Sequence, residues 1–242
     1  MAKTAGRFSS IYFAGYDISG KSNQFDYLVE FGELDMTGFG EGSDNSTPGM
    51  PKGSANVTAF LDPAANETHA ALKTPGGYTD KSLMILIGAN AAPVIGDPAL
   101  CMLCKQFSYS PSAAVKAGIL ATVKLLSAGE RVDHDAKCLA NTTITVTTNF
   151  ASVNNGASSA NGGAAYLEVL TPPAADTYVV KVQDAPDGST WADLATFAAN
   201  GSARTSERIE FTGTVDQYTR AQATRTGAAG NDFKLAVALA RH

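Results

Sequence analysis

The chain has 242 residues, of which 44% are hydrophobic and 17% charged, so it can bury a core and is not a disordered polymer. Its formal net charge of −5 is spread evenly: residues 1–130 carry 9 basic and 12 acidic side chains, and residues 131–242 carry 9 and 11. Tight binding to nucleic acid phosphates requires surplus Lys and Arg on one face, and this balance disfavours it.

In the first half of the chain, alternation of apolar and polar side chains predicts about six strands and one short helix. The strands are expected at 11–19, 23–31, 56–62, 82–88, 99–109 and 114–127, and the last run also fits a helix. The helix is predicted over 62–73, with Asp62 as N-cap and Pro63 at its first position.

The stretch 32–53 is rich in Gly, Ser, Asp and Pro. It is too long for a tight hairpin and too weakly apolar for a core element, so it predicts an exposed, extended loop. A long loop of this kind either contacts a partner or is simply mobile, and the sequence leaves both interpretations open.

Residues 129–163 change composition from a charged stretch through a Thr-rich strand to a run of small polar residues. We therefore predict a domain boundary near 130–140, with one domain over 1–135 and a second over 136–242. Turn signals separate further strands in this half. They are expected at 142–150, 165–170, 178–183, 190–197, 208–211, 218–224 and 233–240. In the last, Phe233, Leu235, Val237 and Leu239 alternate with smaller residues and predict one core face.

The N-terminus lacks the apolar core of a secretion signal, and no stretch approaches the roughly 20 apolar residues of a membrane-spanning helix. No membrane partner is therefore expected. Cys101, Cys104 and Cys138 are three in number and cannot all pair, which favours assembly in a reducing cytoplasm. In a strand, Cys101 and Cys104 point to opposite faces, so they do not readily share a metal.

The remaining sequence motifs give only weak indications of a metal, catalytic or phosphate-binding site. His134 lies between Asp133 and Asp135, which permits a metal or base site, but a hydrophilic linker explains the same residues. Asp184 and Asp187 are expected to shape the turn at Gly188, with a structural calcium as the alternative. The glycines at 38–42 are followed by neither a helix start nor a Lys-Ser/Thr pair, so they are not a phosphate loop. No catalytic residue, metal site or cofactor is predicted.

Two stretches are similar to a known family. The run 15–20 (GYDISG), then 33–40 (ELDMTGFG) and 60–63 (FLDP), resembles the tail tube proteins of long, non-contractile phage tails. The run 180–194 (VKVQDAPDGSTWADL) and the final 233–241 (FKLAVALAR) resemble the extra C-terminal sandwich of some members. The resemblance implies an all-β chain with one short helix. A tail-tube-like sandwich or barrel would be followed by a small jelly-roll or immunoglobulin-like sandwich.

The resemblance also implies a function. The subunit would form rings, usually six-fold, whose sheets close into a continuous barrel around a DNA channel, and the rings would stack into a tube. Its partners would be further copies of itself and other tail proteins (tape measure, tail terminator and distal tail), with DNA only in transit. It would reside in the virion after assembly in the host cytoplasm. The 32–53 loop would contact the neighbouring ring through Phe39, Glu41, Asp44 and Met50.

Two alternatives belong to other functional classes. The chain could be a different virion component, such as a capsid decoration or distal tail protein. It could also be a carbohydrate-binding module, with Trp191 on the surface of the outer domain; a lone Trp in a sandwich is more often a core residue.

Overall fold

The structure is a computed structural model that describes residues 6–37, 39, 43–74, 79–89, 91–113, 118–198, 203–228 and 230–242. A 3-10 turn at Gly6–Phe8 precedes the first strand, and the helix α1 spans Thr68–Leu72. The strands are β1 (Ser9–Phe13), β2 (Tyr16–Asp17), β3 (Ser22–Asp35), β4 (Ser46–Phe60), β5 (Lys81–Ile87), β6 (Pro98–Ser112), β7 (Leu120–Ser127), β8 (Asp133–Ile144), β9 (Thr148–Asn149), β10 (Val153–Asn154), β11 (Gly163–Thr171), β12 (Thr177–Ala185), β13 (Ala192–Thr196), β14 (Thr205–Phe211), β15 (Tyr218–Thr226) and β16 (Phe233–Arg241).

These strands form two antiparallel sheets. The larger has 11 strands in the order β14-β11-β16-β8-β6-β5-β1-β2, and a branch of β7, β4 and β3 leaves it at β6. The smaller has 5 strands in the order β10-β15-β12-β13, with β9 also paired to β15. The prediction of an all-β fold with one short helix is therefore confirmed. Within the described residues, no helix is long and apolar enough to cross a membrane.

The C-terminal half forms a sandwich. The smaller sheet packs on one face of β14, β11, β16 and β8, and the two sheets bury a shared apolar core. Tyr178 and Phe233 stack in this core with ring centroids 4.5 Å apart. The predicted core face of the last strand, from Phe233 to Leu239, points into it.

The opposite face of β16 is buried as well. Ala236, Ala238 and Ala240 pack against side chains of β1, β5 and β6, because the large sheet curls over and covers them. Alanine allows the two layers to approach closely, and Tyr12, Tyr166 and Met84 fill the remaining space. The prediction of one core face for this strand was incomplete: the curl of the sheet gives it two.

The chain around the predicted boundary is not a linker. Strand β8 crosses residues 135 and 136, and pairs with β6 on one side and β16 on the other. Asp133, which the sequence places in a charged linker, begins this strand and is 1% exposed. The division into domains at 135/136 stays a prediction, since one sheet contains strands from both sides of it.

Three local predictions were wrong. The strand expected over 11–19 is two strands, β1 and β2, separated by a turn at Ala14 and Gly15. The helix begins at Thr68 with Glu67 as N-cap, not at Asp62, because Asn66 adopts a φ of 67° that a continuous helix does not allow. The stretch 32–53 is exposed, as predicted, but it is mostly strand and not loop, since β3 continues to Asp35 and β4 begins at Ser46. Of the run 114–127, residues 114–117 lie outside the described part, and β7 covers the rest from Leu120.

Candidate assembly interface

Strands β3, β4, β7 and β6 form a four-stranded sheet with one apolar and one polar face. The apolar face, including Tyr27, Val57 and Val123, packs on the core beneath it. The other face carries short polar side chains, among which the Thr58 and Thr122 hydroxyls lie 3.1 Å apart, together with the exposed Leu28 and Phe60. Its described charged residues are Asp26, Glu30, Lys52, Lys105 and Lys124. Lys105 forms an ion pair of 2.8 Å with Asp80, and with Asp80 counted this face has no net charge.

Both edges of this sheet are open among the described residues. Strand β3 pairs only with β4. Strand β6 pairs with β5 at residues 99–104, but its residues 105–112 pair only with β7. Pro111 has no N–H to donate, so the usable edge of β6 is 105–110. An unpaired strand edge is a template for another strand, and each copy offers one at each side of this sheet.

A two-stranded ribbon, which we call the arm, projects beyond this sheet and comprises residues 30–52. Strand β4 pairs with β7 only from Ser54 onward, so the arm's strands pair only with each other. Every described residue of the arm except Gly49 is exposed. Exposed apolar side chains are concentrated there: Phe31 at 59%, Leu34 at 54%, Met36 at 62%, Met50 at 88% and Phe39, fully exposed.

The arm contains the residues predicted for ring stacking. Phe39, Asp44 and Met50 are exposed on it, while Glu41 lies outside the described residues. An isolated two-stranded ribbon is marginally stable in water, and apolar side chains in solvent favour association. The structure thus shows that this stretch is a paired ribbon. Its contacts with other copies stay a prediction.

The arm is acidic. Its described residues include Glu30, Glu33, Asp35 and Asp44 but only one base, Lys52, which lies opposite Glu30. Asp35 accepts a hydrogen bond of 2.9 Å from the Thr37 N–H, and hydrogen bonds from Thr37 lower the pKa of Asp35 below its ordinary value. The Asp35 carboxylate is therefore ionised at neutral pH.

A cavity of about 260 Å³ lies at the base of the arm. Val29, Phe31, Pro51 and Val132 supply its apolar walls, and Arg131 and His134 supply polar groups. Gly53 is required nearby, because a Cβ at this position would lie 2.5 Å from Val132 Cγ2. The Arg131 side chain is 52% exposed, and its Nε is 3.7 Å from a carboxylate oxygen of the buried Asp133.

Asp133 is a residue whose role the sequence did not show. The Tyr166 hydroxyl donates a 2.6 Å hydrogen bond to it, and His242 Nε2 lies 2.9 Å from its other oxygen. Burial raises the pKa of Tyr166 far above its ordinary value, so it remains a donor. His134, the neighbour on β8, is exposed, and thus the Asp133, His134 and Asp135 side chains do not converge on one site.

The other candidate residues are structural. Cys101, Cys104 and Cys138 are buried and unpaired, and Cys101 and Cys104 lie in different core clusters, as predicted for opposite faces of a strand. The Asp187 carboxylate accepts hydrogen bonds of 2.8 Å from the N–H groups of Ser189 and Thr190, and these lower its pKa. In the described part of the chain, no group of three or more His, Cys, Asp or Glu residues could hold a metal.

Trp191 is neither a core residue nor a freely exposed ring. It is partly buried just before β13, and the Arg220 guanidinium carbon lies 4.1 Å from the centre of its ring. Gln183 accepts a 2.9 Å hydrogen bond from Arg220 Nε, which holds the cation in place. A stacked Arg occupies one face of the ring, which is the surface a sugar would need.

Comparisons with known proteins give only distant likenesses. No protein-family profile and no curated protein matches the chain. Among solved structures, the chain is similar to the SPP1 Dit protein, described as a paradigm of the hub adsorption apparatus in phages infecting Gram-positive bacteria, with 11% identity and a TM-score of 0.31 over 96% of this chain and 98% of that one. It is also similar to chains of infectious bursal disease virus. The Gx strain chain has 11% identity and a TM-score of 0.26 over 98% of this chain and 68% of that one. The Gt strain chain has 13% identity and a TM-score of 0.24 over 97% and 57%. Likenesses with TM-scores this low carry no argument about function.

Proposed function

We propose that this chain is a structural protein of a phage virion, and specifically the repeating subunit of the tube of a long, non-contractile tail. The observation that carries the proposal is the four-stranded sheet of β3, β4, β7 and β6, which has one buried face, one polar face and an open edge at each side.

The two edges belong to different strands, so pairing them joins copies head to tail. A head-to-tail contact between identical copies yields either a closed ring or an open filament, depending on the rotation between neighbours. Closure into a ring pairs the β3 edge of each copy with the β6 edge of the next, and closing its edges is the usual way for a sheet to avoid uncontrolled aggregation. The structure of one copy thus favours a ring with a shared barrel.

The expected diameter of a ring supports a role as a conduit for DNA. Six copies, the usual number in the resembling family, would give a barrel of about 24 strands. With strands about 4.8 Å apart and tilted by about 40°, that barrel measures about 48 Å between opposite backbones. Such a bore admits double-stranded DNA and leaves room for the side chains on its wall.

The polar face of the sheet would line the bore. With the Lys105–Asp80 ion pair counted, this face has no net charge in its described part, whereas the charge of the whole chain is −5. A surface with short polar side chains and no surplus of cations does not retain phosphates, so DNA would pass without binding. The sandwich on the other side of the large sheet would lie outside the bore, and the protein would act as a scaffold without catalysis.

The experiment is disulfide trapping across the proposed edge contact, combined with negative-stain microscopy. Asp26→Cys on β3 and Ser110→Cys on β6 are paired in one chain, with Gln24→Cys or Leu28→Cys as alternative partners to cover the neighbouring registers. Directly opposed residues on adjacent strands have Cβ atoms about 5 Å apart, which suits a disulfide. The three native cysteines are buried and do not interfere.

We expect oxidation of one of the double variants to give a covalent ladder ending at the ring, and micrographs to show hollow tubes. Each single-cysteine variant is the matched control and should stop at a dimer. Rings that never stack would indicate a different ring-forming virion part, such as a distal tail protein. Monomers at all concentrations, with no ladder, would contradict the proposal.

A further inference from the structure

We infer that Phe107 on β6 of one copy packs against Leu28 on β3 of the next copy, and that this apolar pair anchors the contact between neighbours in a ring. The inference rests on the proposed function and names the side chains that give its edge contact strength and direction. Its basis is the position of the two residues on opposite open edges of the sheet, together with the charges around each of them.

Leu28 lies on the open edge of β3. Its neighbours Tyr27 and Val29 pack on the core, so strand alternation directs Leu28 to the polar face of the sheet, where it is 48% exposed. Among the described residues, β3 pairs only with β4, so no other strand of the same copy lies beside Leu28. Leu28 is therefore an apolar side chain that its own copy leaves partly in solvent at a strand edge.

Phe107 has the corresponding position on the opposite edge. Gln106 is buried and donates a 2.7 Å hydrogen bond to the Leu72 carbonyl, so the following residue, Phe107, points to the polar face, where it is 59% exposed. The pairing of β6 with β7 skips Phe107, which is the extra residue of a β-bulge between Gln106 and Ser108. Bulges re-aim side chains, and this one leaves an aromatic ring without a cross-strand partner at the open edge of β6.

One copy cannot bring Leu28 and Phe107 together. Strands β4 and β7 lie between β3 and β6, so with strands about 4.8 Å apart the two positions are about 14 Å apart across the sheet. Pairing of the β3 edge of one copy with the β6 edge of the next reduces this separation to a single strand spacing. The partner of each residue is therefore supplied by a second copy.

The contact does not require one particular register. Each pairing within the four-stranded sheet is antiparallel, so β6 of one copy also runs antiparallel to β3 of the next. In the three registers that the Ser110 cysteine pairs cover, Leu28 lies opposite Ser108 or two residues to either side of it. Direct and diagonal cross-strand neighbours are both within reach of an aromatic side chain, so Phe107 can contact Leu28 in each register.

Leu28 has acidic surroundings. Asp26 and Glu30 lie two residues before and after it on the same face of β3, and the strand contains no basic residue. Two β3 edges placed side by side would bring these carboxylates against one another. Like charges directly opposite on neighbouring strands are destabilising, so the acidic edge disfavours a contact between two β3 strands.

Phe107 has basic surroundings. Lys105 lies on the same face of β6, and Lys124 lies on the adjacent β7, opposite Ser108. Neither β6 nor β7 contains an acidic residue. Asp80 of the same copy forms an ion pair of 2.8 Å with Lys105, so Lys124 supplies the surplus positive charge. The β6 edge is thus complementary in charge to the acidic β3 edge, which favours a head-to-tail contact.

Charged substitutions test the pair, because folding and assembly favour opposite signs. In its own copy Phe107 lies near lysines, so folding should tolerate Phe107→Glu better than Phe107→Lys. In a ring the same side chain faces the acidic β3 edge, so Phe107→Glu should require about a tenfold higher protein concentration for ring formation than Phe107→Lys. At Leu28 the signs are exchanged: Leu28→Lys should require about a tenfold higher concentration than Leu28→Glu.

Sedimentation velocity over a concentration series measures ring formation, and thermal unfolding of the unassembled variants measures folding. Val179→Glu and Val179→Lys change an exposed apolar residue of the smaller sheet and should both leave ring formation unchanged. The combined variant Phe107→Lys with Leu28→Glu should form rings near the original concentration, because an ion pair across the contact replaces the apolar pair.

A covalent test keeps the inference open to contradiction even if every charged variant fails to assemble. Leu28→Cys and Phe107→Cys are combined in one chain and treated with a short thiol crosslinker. We expect the same ladder of covalent oligomers as from the Ser110 pairs. No ladder from this variant, when a Ser110 pair does give one, would overturn the inference and leave the proposed function standing.

The charged variants give the other decisive outcomes. Equal concentrations for Glu and Lys at each position, or the order that folding favours, would show that the two residues act only within their own copy, and would overturn the inference alone. If the unsubstituted protein forms no rings and no cysteine pair gives a ladder, the proposed function fails and the inference fails with it.

Discussion

Strand β16 has both faces buried, whereas the arm formed by the outer parts of β3 and β4 has both faces in solvent. Both segments are continuous paired strands, and both contain several large apolar side chains. The two segments differ in whether other layers of the protein pack on their faces. In β16 two other layers of the same copy supply the partner surfaces, while the arm extends beyond every layer of its own copy. The contrast shows that burial is completed within a copy for the sandwich, whereas the described residues of the same copy supply no partner surface for the apolar side chains of the arm.

The largest effect is expected inside the sandwich. Phe233→Ala removes a fully buried ring that stacks on Tyr178, and should lower the free energy of unfolding by about 3–5 kcal/mol. Chemical denaturation followed by circular dichroism measures this. A loss below about 1 kcal/mol would mean that the core relaxes into the space left by the ring, and it would contradict the contrast between the buried sandwich and the exposed arm.

The seam where the large sheet curls onto itself should respond to pH. Glu168 on β11 is fully buried and accepts a 2.6 Å hydrogen bond from the Gly15 N–H in the β1–β2 turn. Burial raises the pKa of Glu168 from 4.5 to about 8, so the folded protein holds this proton at neutral pH. Stability from this group is fully present below pH 4.5 and is lost as the pH rises through about 8.

Glu168→Gln should therefore flatten the pH dependence of the free energy of unfolding between these values. The slope removed is at most about 1.4 kcal/mol per pH unit. Urea denaturation of both proteins at pH 5, 7 and 9 gives the measurement, and the variant should gain most relative to the original at the highest of these. Parallel pH profiles for the two proteins would show that Glu168 is ionised in the folded state.

A smaller effect is expected at the turn that donates to Glu168. Ala14 has a φ of 53° and Gly15 a φ of 82°, which defines a type I′ turn between β1 and β2. Asn tolerates this conformation better than Ala, so Ala14→Asn should raise stability by about 0.5–1 kcal/mol. Thermal unfolding measures the gain. A loss would mean that the packing of the Ala14 methyl group on the neighbouring core outweighs the backbone strain.

The smallest effect on stability is expected in the arm. Met50 is 88% exposed, so Met50→Ala should change the free energy of unfolding by less than about 0.5 kcal/mol. Assembly of the same variant should be weakened, since Met50 is one of the residues predicted to contact other copies. Denaturation and light scattering on one sample separate the two effects, and a stability loss comparable to that of Phe233→Ala would remove the distinction between the two regions.

Most of the strands, and the faces they bury, could be predicted from the amino-acid pattern. Apolar runs between turn signals located β5, β11, β12, β15 and β16 within a few residues. In β15 a single buried face places a buried residue at every second position. Strand periodicity also indicated that the Cys101 and Cys104 side chains point to opposite faces of β6. Turn chemistry was read correctly at Asp187, where the carboxylate bonds to nearby backbone groups and needs no distant partner.

The remaining features depend on contacts between residues that are far apart in the chain. The Gly, Ser and Pro content of the arm predicted a loop. The backbone pairing of β3 with β4 makes it a strand instead, and because the arm packs on no core, its sequence lacks the apolar alternation that predicts strands. Asp133 appeared to be a linker residue until Tyr166 and His242, far away in sequence, supplied its partners. The cavity beside Arg131 likewise joins β3, β4 and the start of β8. Local sequence pattern indicates whether a side chain is apolar or forms a turn, whereas contacts between distant residues determine its partners in the folded chain.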